Sequence, residues 1–231
     1  MSVKPILFNT EMVRAILDGR KTCTRRVAKN VPDHTHRIEP VYENCRFQFD
    51  CFYSSYVVAL DAYADFCMPC LPPYQQGDIL YVRETWMRFE CWNCEGDEAG
   101  NCAKEPHISV LEKQGGCYLY RATSEISGDA RWHPSIHMPK EAARIWLKVT
   151  DVRVERLQEI SEEGAEKEGC RESVDSKTKF RIADILNFYE VWDSTIKKSD
   201  LDRYGWKANP WVWVIDFERC EKPKEERKWK N

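Results

Sequence analysis

Residues 19–26 read GRKTCTRR, and five of the ten residues from Arg20 to Lys29 are Lys or Arg: Arg20, Lys21, Arg25, Arg26 and Lys29. Two hydroxyls, Thr22 and Thr24, and the thiol of Cys23 stand among them. Three readings fit these residue types at this spacing. Lys21 and Arg25 can grip a phosphate while Thr22 and Thr24 donate hydrogen bonds to it. A hydroxyl or the thiol activated by a neighbouring base can instead be a nucleophile. A Lys serving as that base, with a free pKa of ~10.4, needs burial or neighbouring cations, which the arginines here would supply. The third reading is a plain solvated basic loop. Cys23, Cys170 and Cys220 read as ordinary core or surface thiols, with a nucleophile beside Lys21 as the alternative for Cys23.

Aromatic residues form a second candidate set. Trp86, Trp132, His133, Trp206 and Trp211 fall at predicted strand ends or loops, where an exposed ring can stack a nucleobase for roughly 1–3 kcal/mol. The same rings can equally close the ends of a hydrophobic core. Ser135 and His137, in WHPSIHMP, have no evident acidic partner for catalysis, and Ser135 is kept only as a candidate ligand contact. Arg83 and Glu84 are adjacent on a predicted strand and point to opposite faces, so at most one can line a pocket.

The eleven cysteines call for a third chemistry. An odd count, scattered spacing and no secretion signal argue against a disulfide framework, leaving metal ligands or free thiols. Cys67-x-x-Cys70 and Cys91-x-x-Cys94 are spaced as one zinc site would be. The predicted strand from Asp78 to Trp86, however, would separate them by ~30 Å at ~3.3 Å per residue. Two local clusters are simpler. Cys45, Cys51, Cys67 and Cys70 form one, and Cys91, Cys94 and Cys102 with Cys117 (or His107) form the other, each with enough ligands for a structural zinc.

The bulk numbers bound the partners. A length of 231 residues fits one domain with large insertions or two small ones. A net charge of −3 argues against a sequence-blind coat on duplex DNA and leaves room for a local basic site. No apolar stretch is long enough for a signal peptide or a membrane span, which predicts a cytoplasmic protein that does not enter membranes.

The elements that must position these residues read as follows. KPILFN (4–9) is a short strand, Thr10 caps a helix over 11–18 with Met12, Ile16 and Leu17 on one face, and Gly19 ends it. GDILYVRETW (77–86), GCYLYRAT (116–123), the region 141–157 and PWVWVIDFERC (210–220) are strands. Ser161 caps a short helix over 162–168 that Gly169 stops, and the period of Ile182, Ile185, Leu186, Tyr189 and Trp192 predicts a helix over 179–196. Residues 30–76 and 88–116 read as two irregular Cys-rich insertions. The expectation is an α+β fold: a small, mostly antiparallel β-barrel with a few helices, one domain over 1–220 and a charged tail over 221–231.

That order of motifs resembles the ASCH domain, a small barrel of the PUA-like superfamily. The G-x-K-T-x-T-x-R element at GRKTCTRR is the most specific part, supported by GDILYV, ISEEGAEKEG and WVWVIDF. The longer stretches WHPSIHMPKEAARIWLKVTDVRVERLQ and YGWKANPWVWVIDFER resemble a subgroup carried by phages and prophages. The resemblance implies binding of RNA, a nucleotide or a modified nucleoside, with Arg20, Thr22, Arg25, Arg26, Trp86, Trp132, His133, Ser135 and Trp206 as candidate contacts. One branch removes an acyl group from the exocyclic amine of cytidine, using a Lys and a Thr of the K-T-x-T element and a Glu of the short helix. Carried over by motif, these are Lys21, Thr24 and Glu168. A protein partner docked on the insertions is a further possibility from a different class.

Overall fold

The computed structural model describes residues 2–29, 31, 35–41, 46–51, 72–89, 117–124, 131–170, 173–174, 181–182 and 184–223. Its elements are β1 (Val3–Leu7), α1 (Thr10–Leu17), β2 (Cys23–Val27), β3 (Thr35–Val41), β4 (Arg46–Cys51), β5 (Ile79–Arg83), β6 (Trp86–Phe89), β7 (Cys117–Tyr120) and β8 (Trp146–Arg156). They continue as α2 (Glu162–Lys167), β9 (Ser173–Val174), β10 (Arg181–Ile182), α3 (Asp184–Thr195), α4 (Leu201–Tyr204) and β11 (Trp211–Cys220). Among the described residues the fold is mixed α+β, with few helices and mostly antiparallel strand pairs; β1 and β5 run parallel. Among the described residues no helix is long and apolar enough to cross a membrane.

The chain divides into two compact units, and the long strands β8 and β11 contribute to both. The first comprises Met1–Arg20, Gly77–Lys148 and Phe217–Asn231. Its strand order is β1-β5-β8-β11. Asn9 starts α1 by accepting the backbone N–H of Met12 at 2.8 Å, so the cap lies one residue before the predicted Thr10. Val13, Ala15 and Ile16 are its buried residues, a face rotated from the one the sequence predicts. Gly19, at φ +76°, lets the chain close the helix: its N–H bonds Ile16 O and that of Arg20 bonds Ala15 O. A core of Ile79, Tyr118, Tyr120, Met138, Ala142, Ala143 and Trp146 fills this unit.

GDILYVRETW is two strands rather than one. β5 pairs with β1 and β8, whereas β6 pairs with β7. The break falls at Glu84 and Thr85, where the Glu84 N–H donates to Met138 Sδ instead of to a strand neighbour. The straight ~30 Å separation expected between the two Cys-x-x-Cys motifs therefore loses its premise.

The second unit comprises Lys21–Gln76 and Val149–Asp216, with strand order β8-β11-β2. β2 runs antiparallel to β11, with Thr24 opposite Ile215 and Cys23 opposite Asp216. Ser161 caps α2 by accepting the N–H of Gly164, and Gly169 follows the helix at φ +88°. The predicted helix over 179–196 begins at Asp184, because Ile182 is taken up in the short β9–β10 pair. β3 and β4 form an antiparallel pair with a register shift between Thr35 and Arg37, so part of the stretch expected to be irregular is strand. The core gathers Cys23, Leu157, Ile160, Ala165, Phe188, Trp192, Val212 and Val214.

Candidate active site

The buried charges of the second unit meet at one place, beside the C-terminal end of α2. Lys21 stands just before β2 and is 2% exposed; Glu168 is the C-cap of α2 and is 8% exposed. The two form an isolated antiparallel bridge, and the neighbouring Thr22 N–H donates to Lys167 O at 2.8 Å. That backbone latch sets the side-chain contact. Lys21 Nζ donates to Glu168 Oε2 at 2.5 Å and to the Glu168 carbonyl at 2.9 Å. The carbonyl is one that a helix end leaves without an intrahelical partner.

Strand alternation distributes the rest of the motif. Cys23 and Arg25 share one face of β2 with the core, and Thr24 and Arg26 share the other. Thr24 is buried. Arg25 sends Nη1 to Glu168 Oε1 and Nη2 to Glu155 Oε2, both at 3.3 Å, and its guanidinium carbon lies 5.8 Å from the Phe188 ring centre. Glu155 in turn accepts from Arg153 Nε at 2.6 Å, and Arg153 also bonds Asp216. Burial lowers the pKa of Arg26 from its ordinary value, opposed by Tyr74 and Glu168. Tyr74, beside it, is pushed up by burial, with Arg26 pulling it back. Burial, with Glu168 adding to it, drives the Cys23 thiol far above the ordinary thiol range, so Cys23 is not a nucleophile at neutral pH.

The basic stretch is thus largely neutralised from within. Arg20 pairs with Asp18 at 3.0 Å, Lys21 with Glu168, and Arg25 with Glu155 and Glu168. Thr22 is exposed. Two groups brought in here, Glu155 and Tyr74, were not among the residues singled out from sequence. The signal for Glu155 was present in DVRVE, where Asp151, Arg153 and Glu155 alternate with valines and so share one face of a strand.

The aromatic candidates have other surroundings. In the second unit Trp206 packs against the core, with its ring 6.2 Å from Phe188 and 6.0 Å from Tyr189. In the first unit Trp86 and His133 exchange backbone hydrogen bonds, and their rings lie 5.0 Å apart. Trp86 also meets Tyr118 edge-on, and its buried Nε1 has no hydrogen-bond partner among the described residues. Trp132 lies under Arg121 at 5.3 Å. Ser135 sits in a short 3-10 turn, where its carbonyl accepts the Met138 N–H.

A second buried pair belongs to the first unit. Arg144 grips Glu84 with two parallel bonds, Nε to Oε1 at 2.8 Å and Nη2 to Oε2 at 2.9 Å, and its Nη1 donates to Thr123 Oγ1. Its guanidinium stacks 4.1 Å from the Tyr120 ring centre. Burial raises the Glu84 pKa, and Arg144 opposes the rise.

The predicted zinc ligands Cys45, Cys67, Cys70, Cys91, Cys94 and Cys102, with His107, lie outside the described residues, as do the side chains of Cys51 and Cys117. Among the described residues no group of three or more His, Cys, Asp or Glu is placed to hold a metal ion. No protein-family model, curated protein or solved structure matches the chain.

Proposed function

We propose that the chain is an ASCH-type hydrolase with a PUA-like barrel, and that it removes an acyl group from the exocyclic amine of a cytidine-like base. The observation that carries this reading is the buried 2.5 Å contact between Lys21 and Glu168. A buried ion pair contributes little net stability, because desolvation offsets its attraction. A buried amine and carboxyl within proton-transfer distance are the groups that amide hydrolysis requires. The contact also speaks against a phosphate grip at Lys21, whose amine already holds a carboxylate and a carbonyl.

The chemistry runs through the tautomer in which Glu168 carries the proton that the pair shares. Lys21 is then a neutral amine and takes the Thr24 hydroxyl proton as Oγ1 bonds to the acyl carbon. The C–N bond breaks, and Glu168 gives its proton to the departing amine, releasing cytidine. Water then adds to the acyl-Thr24 ester, giving one proton to Glu168, while Lys21 returns its proton to the Thr24 oxygen. The acid leaves and the starting tautomer is restored.

Purified protein incubated with acetylcytidine is expected to release cytidine, and Lys21→Ala to abolish the release. No release above the Lys21→Ala control would retire the reading for this substrate.

A second reading, binding of RNA or a nucleotide without catalysis, is favoured by the placement of Arg26 and Tyr74 near each other, with Arg26 on the Thr24 face of β2. It predicts that Arg26→Glu abolishes binding of single-stranded RNA or nucleotides while Lys21→Ala spares it.

A further inference from the structure

We propose that Arg25 is a positioning residue of this centre: it holds one oxygen of Glu168 so that the other stays on Lys21. The proposal rests on the hydrolase reading for its activity arm, whereas the contacts that carry it are independent of any substrate. Arg25 occupies one of the unspecified positions of the G-x-K-T-x-T-x-R pattern, and what the sequence leads one to expect of it is a ligand contact, not a hold on Glu168.

Among the described residues, the buried contacts Arg25–Glu168 and Arg144–Glu84 are built differently. Arg144 closes on one carboxylate with two short parallel bonds, the geometry that maximises attraction between the two groups. Arg25 spans two carboxylates with two long bonds of 3.3 Å, one to Glu168 and one to Glu155. Its Nε–H is buried with no hydrogen-bond partner among the described residues. A guanidinium placed only to neutralise Glu168 would swing Nε round to it and form the bidentate pair. Holding Glu155 prevents that and fixes the angle at which Nη1 reaches Oε1.

The surroundings enforce the same pose. Phe188 lies against the guanidinium. On the α2 side, a Cβ at Gly164 would stand 3.1 Å from Arg25 Nη2, so the helix leaves room for the arginine by having no side chain there. The charges then alternate in one row, from Lys21 through Glu168, Arg25, Glu155 and Arg153 to Asp216. The row begins buried and ends partly exposed, and Arg25 joins its inner half to its outer half. The charge of Glu168 also acts on Cys23 and Arg26; Lys167 and Glu163, on its own helix, pair with each other at the surface.

The test reads Lys21 directly. A lysine ammonium held by a carboxylate and a carbonyl in a buried site gives a slowly exchanging 15N signal. In Arg25→Met the Lys21 signal is expected to broaden or vanish while the backbone amide spectrum remains that of a folded protein; Arg25→Lys restores part of it. Glu155→Gln, which disturbs the far side of Arg25 and the Arg153 contact while leaving the residues that touch Lys21 in place, weakens the signal in the same direction and decides the matter if Arg25→Met does not fold. An unchanged Lys21 signal in a folded Arg25→Met, or in Glu155→Gln where Arg25→Met fails to fold, overturns the proposal. In the activity arm, kcat for cytidine release falls about tenfold or more in Arg25→Met with KM near the wild-type value. If the wild-type protein releases no cytidine, the hydrolase reading falls, and the ammonium signal alone decides the role of Arg25.

Discussion

Lys21 and Glu168, 147 positions apart in the chain, share a backbone bridge, a 2.5 Å contact between amine and carboxylate and a 2.9 Å hydrogen bond to a helix-end carbonyl. Removing one partner strands the other charge in a buried site, so Lys21→Met and Glu168→Gln are each expected to lower stability by about 3 kcal/mol. The double variant Lys21→Met/Glu168→Gln should be much less destabilised than the sum of the two. Urea unfolding of the four proteins checks this as a double-mutant cycle; additive losses would mean that the two groups do not depend on each other.

The Cys23 thiol sits in the core beside Glu168, and burial drives its pKa upward. Because the thiolate is the reactive form, iodoacetamide at mildly alkaline pH should leave Cys23 unmodified in the native protein and label it once the protein is unfolded. Peptide mass spectrometry reads both states. Rapid native labelling would contradict the burial described here.

Glu84 gives a pH dependence whose sign follows from the direction of its shift. Its folded-state pKa is raised by burial, so the folded protein binds this proton more tightly than the unfolded chain does. The contribution is therefore full below the ordinary glutamate range and is lost as pH rises through the elevated folded-state value. The stability of the wild-type protein relative to Glu84→Gln should accordingly fall with rising pH across that window. Urea midpoints for both proteins over a pH series measure it, and a relative stability that rises instead would reverse the assignment.

Tyr120 donates its buried hydroxyl to Ala142 O at 2.6 Å. Tyr120→Phe keeps the ring under Arg144 but leaves that carbonyl without this donor. A loss of about 1–2 kcal/mol in denaturant unfolding is expected, with the stacking on Arg144 preserved.

Gly164→Ala sets two effects against each other. Alanine favours helix over glycine by roughly 1 kcal/mol, yet the new Cβ would stand 3.1 Å from Arg25 Nη2, 3.2 Å from Ile160 Cγ1 and 3.3 Å from Ser161 Oγ. With Arg25 pinned between two carboxylates the crowding should win, giving a net loss of about 1 kcal/mol in thermal or urea unfolding. A stabilised variant would show that Arg25 can move aside.

Local signals were the easiest to read from sequence. Ser161 and Gly169 bracket α2 as their types predict, and PWVWVIDFERC is the strand it resembles, because caps and strand runs depend on near neighbours. The antiparallel pair of β3 and β4 is not legible in the sequence: Pro40 within THRIEPV counts against a strand, and its partner RFQFDC lies in a stretch crowded with Cys and aromatics. The break after Arg83 was missed because ILYVRETW has an unbroken strand composition. The break falls where Glu84 turns its N–H to Met138 Sδ and its carboxylate to Arg144, 54 and 60 positions away. The Lys21–Glu168 approach was reachable only through the resemblance, since no spacing rule links residues so distant. The dual hold of Arg25 on Glu168 and Glu155 depends on three segments meeting, which composition does not encode.

The latch between Lys21 and Glu168 also bears on how this sequence can drift. A single substitution at either position leaves a charge stranded in the interior, so neither side chain has a neutral one-step path to a different type. The two positions can exchange their chemistry only as a pair, through a compensated double change. In diverging copies of this chain they should vary jointly or not at all, whereas the exposed Thr22 beside them is under no such tie.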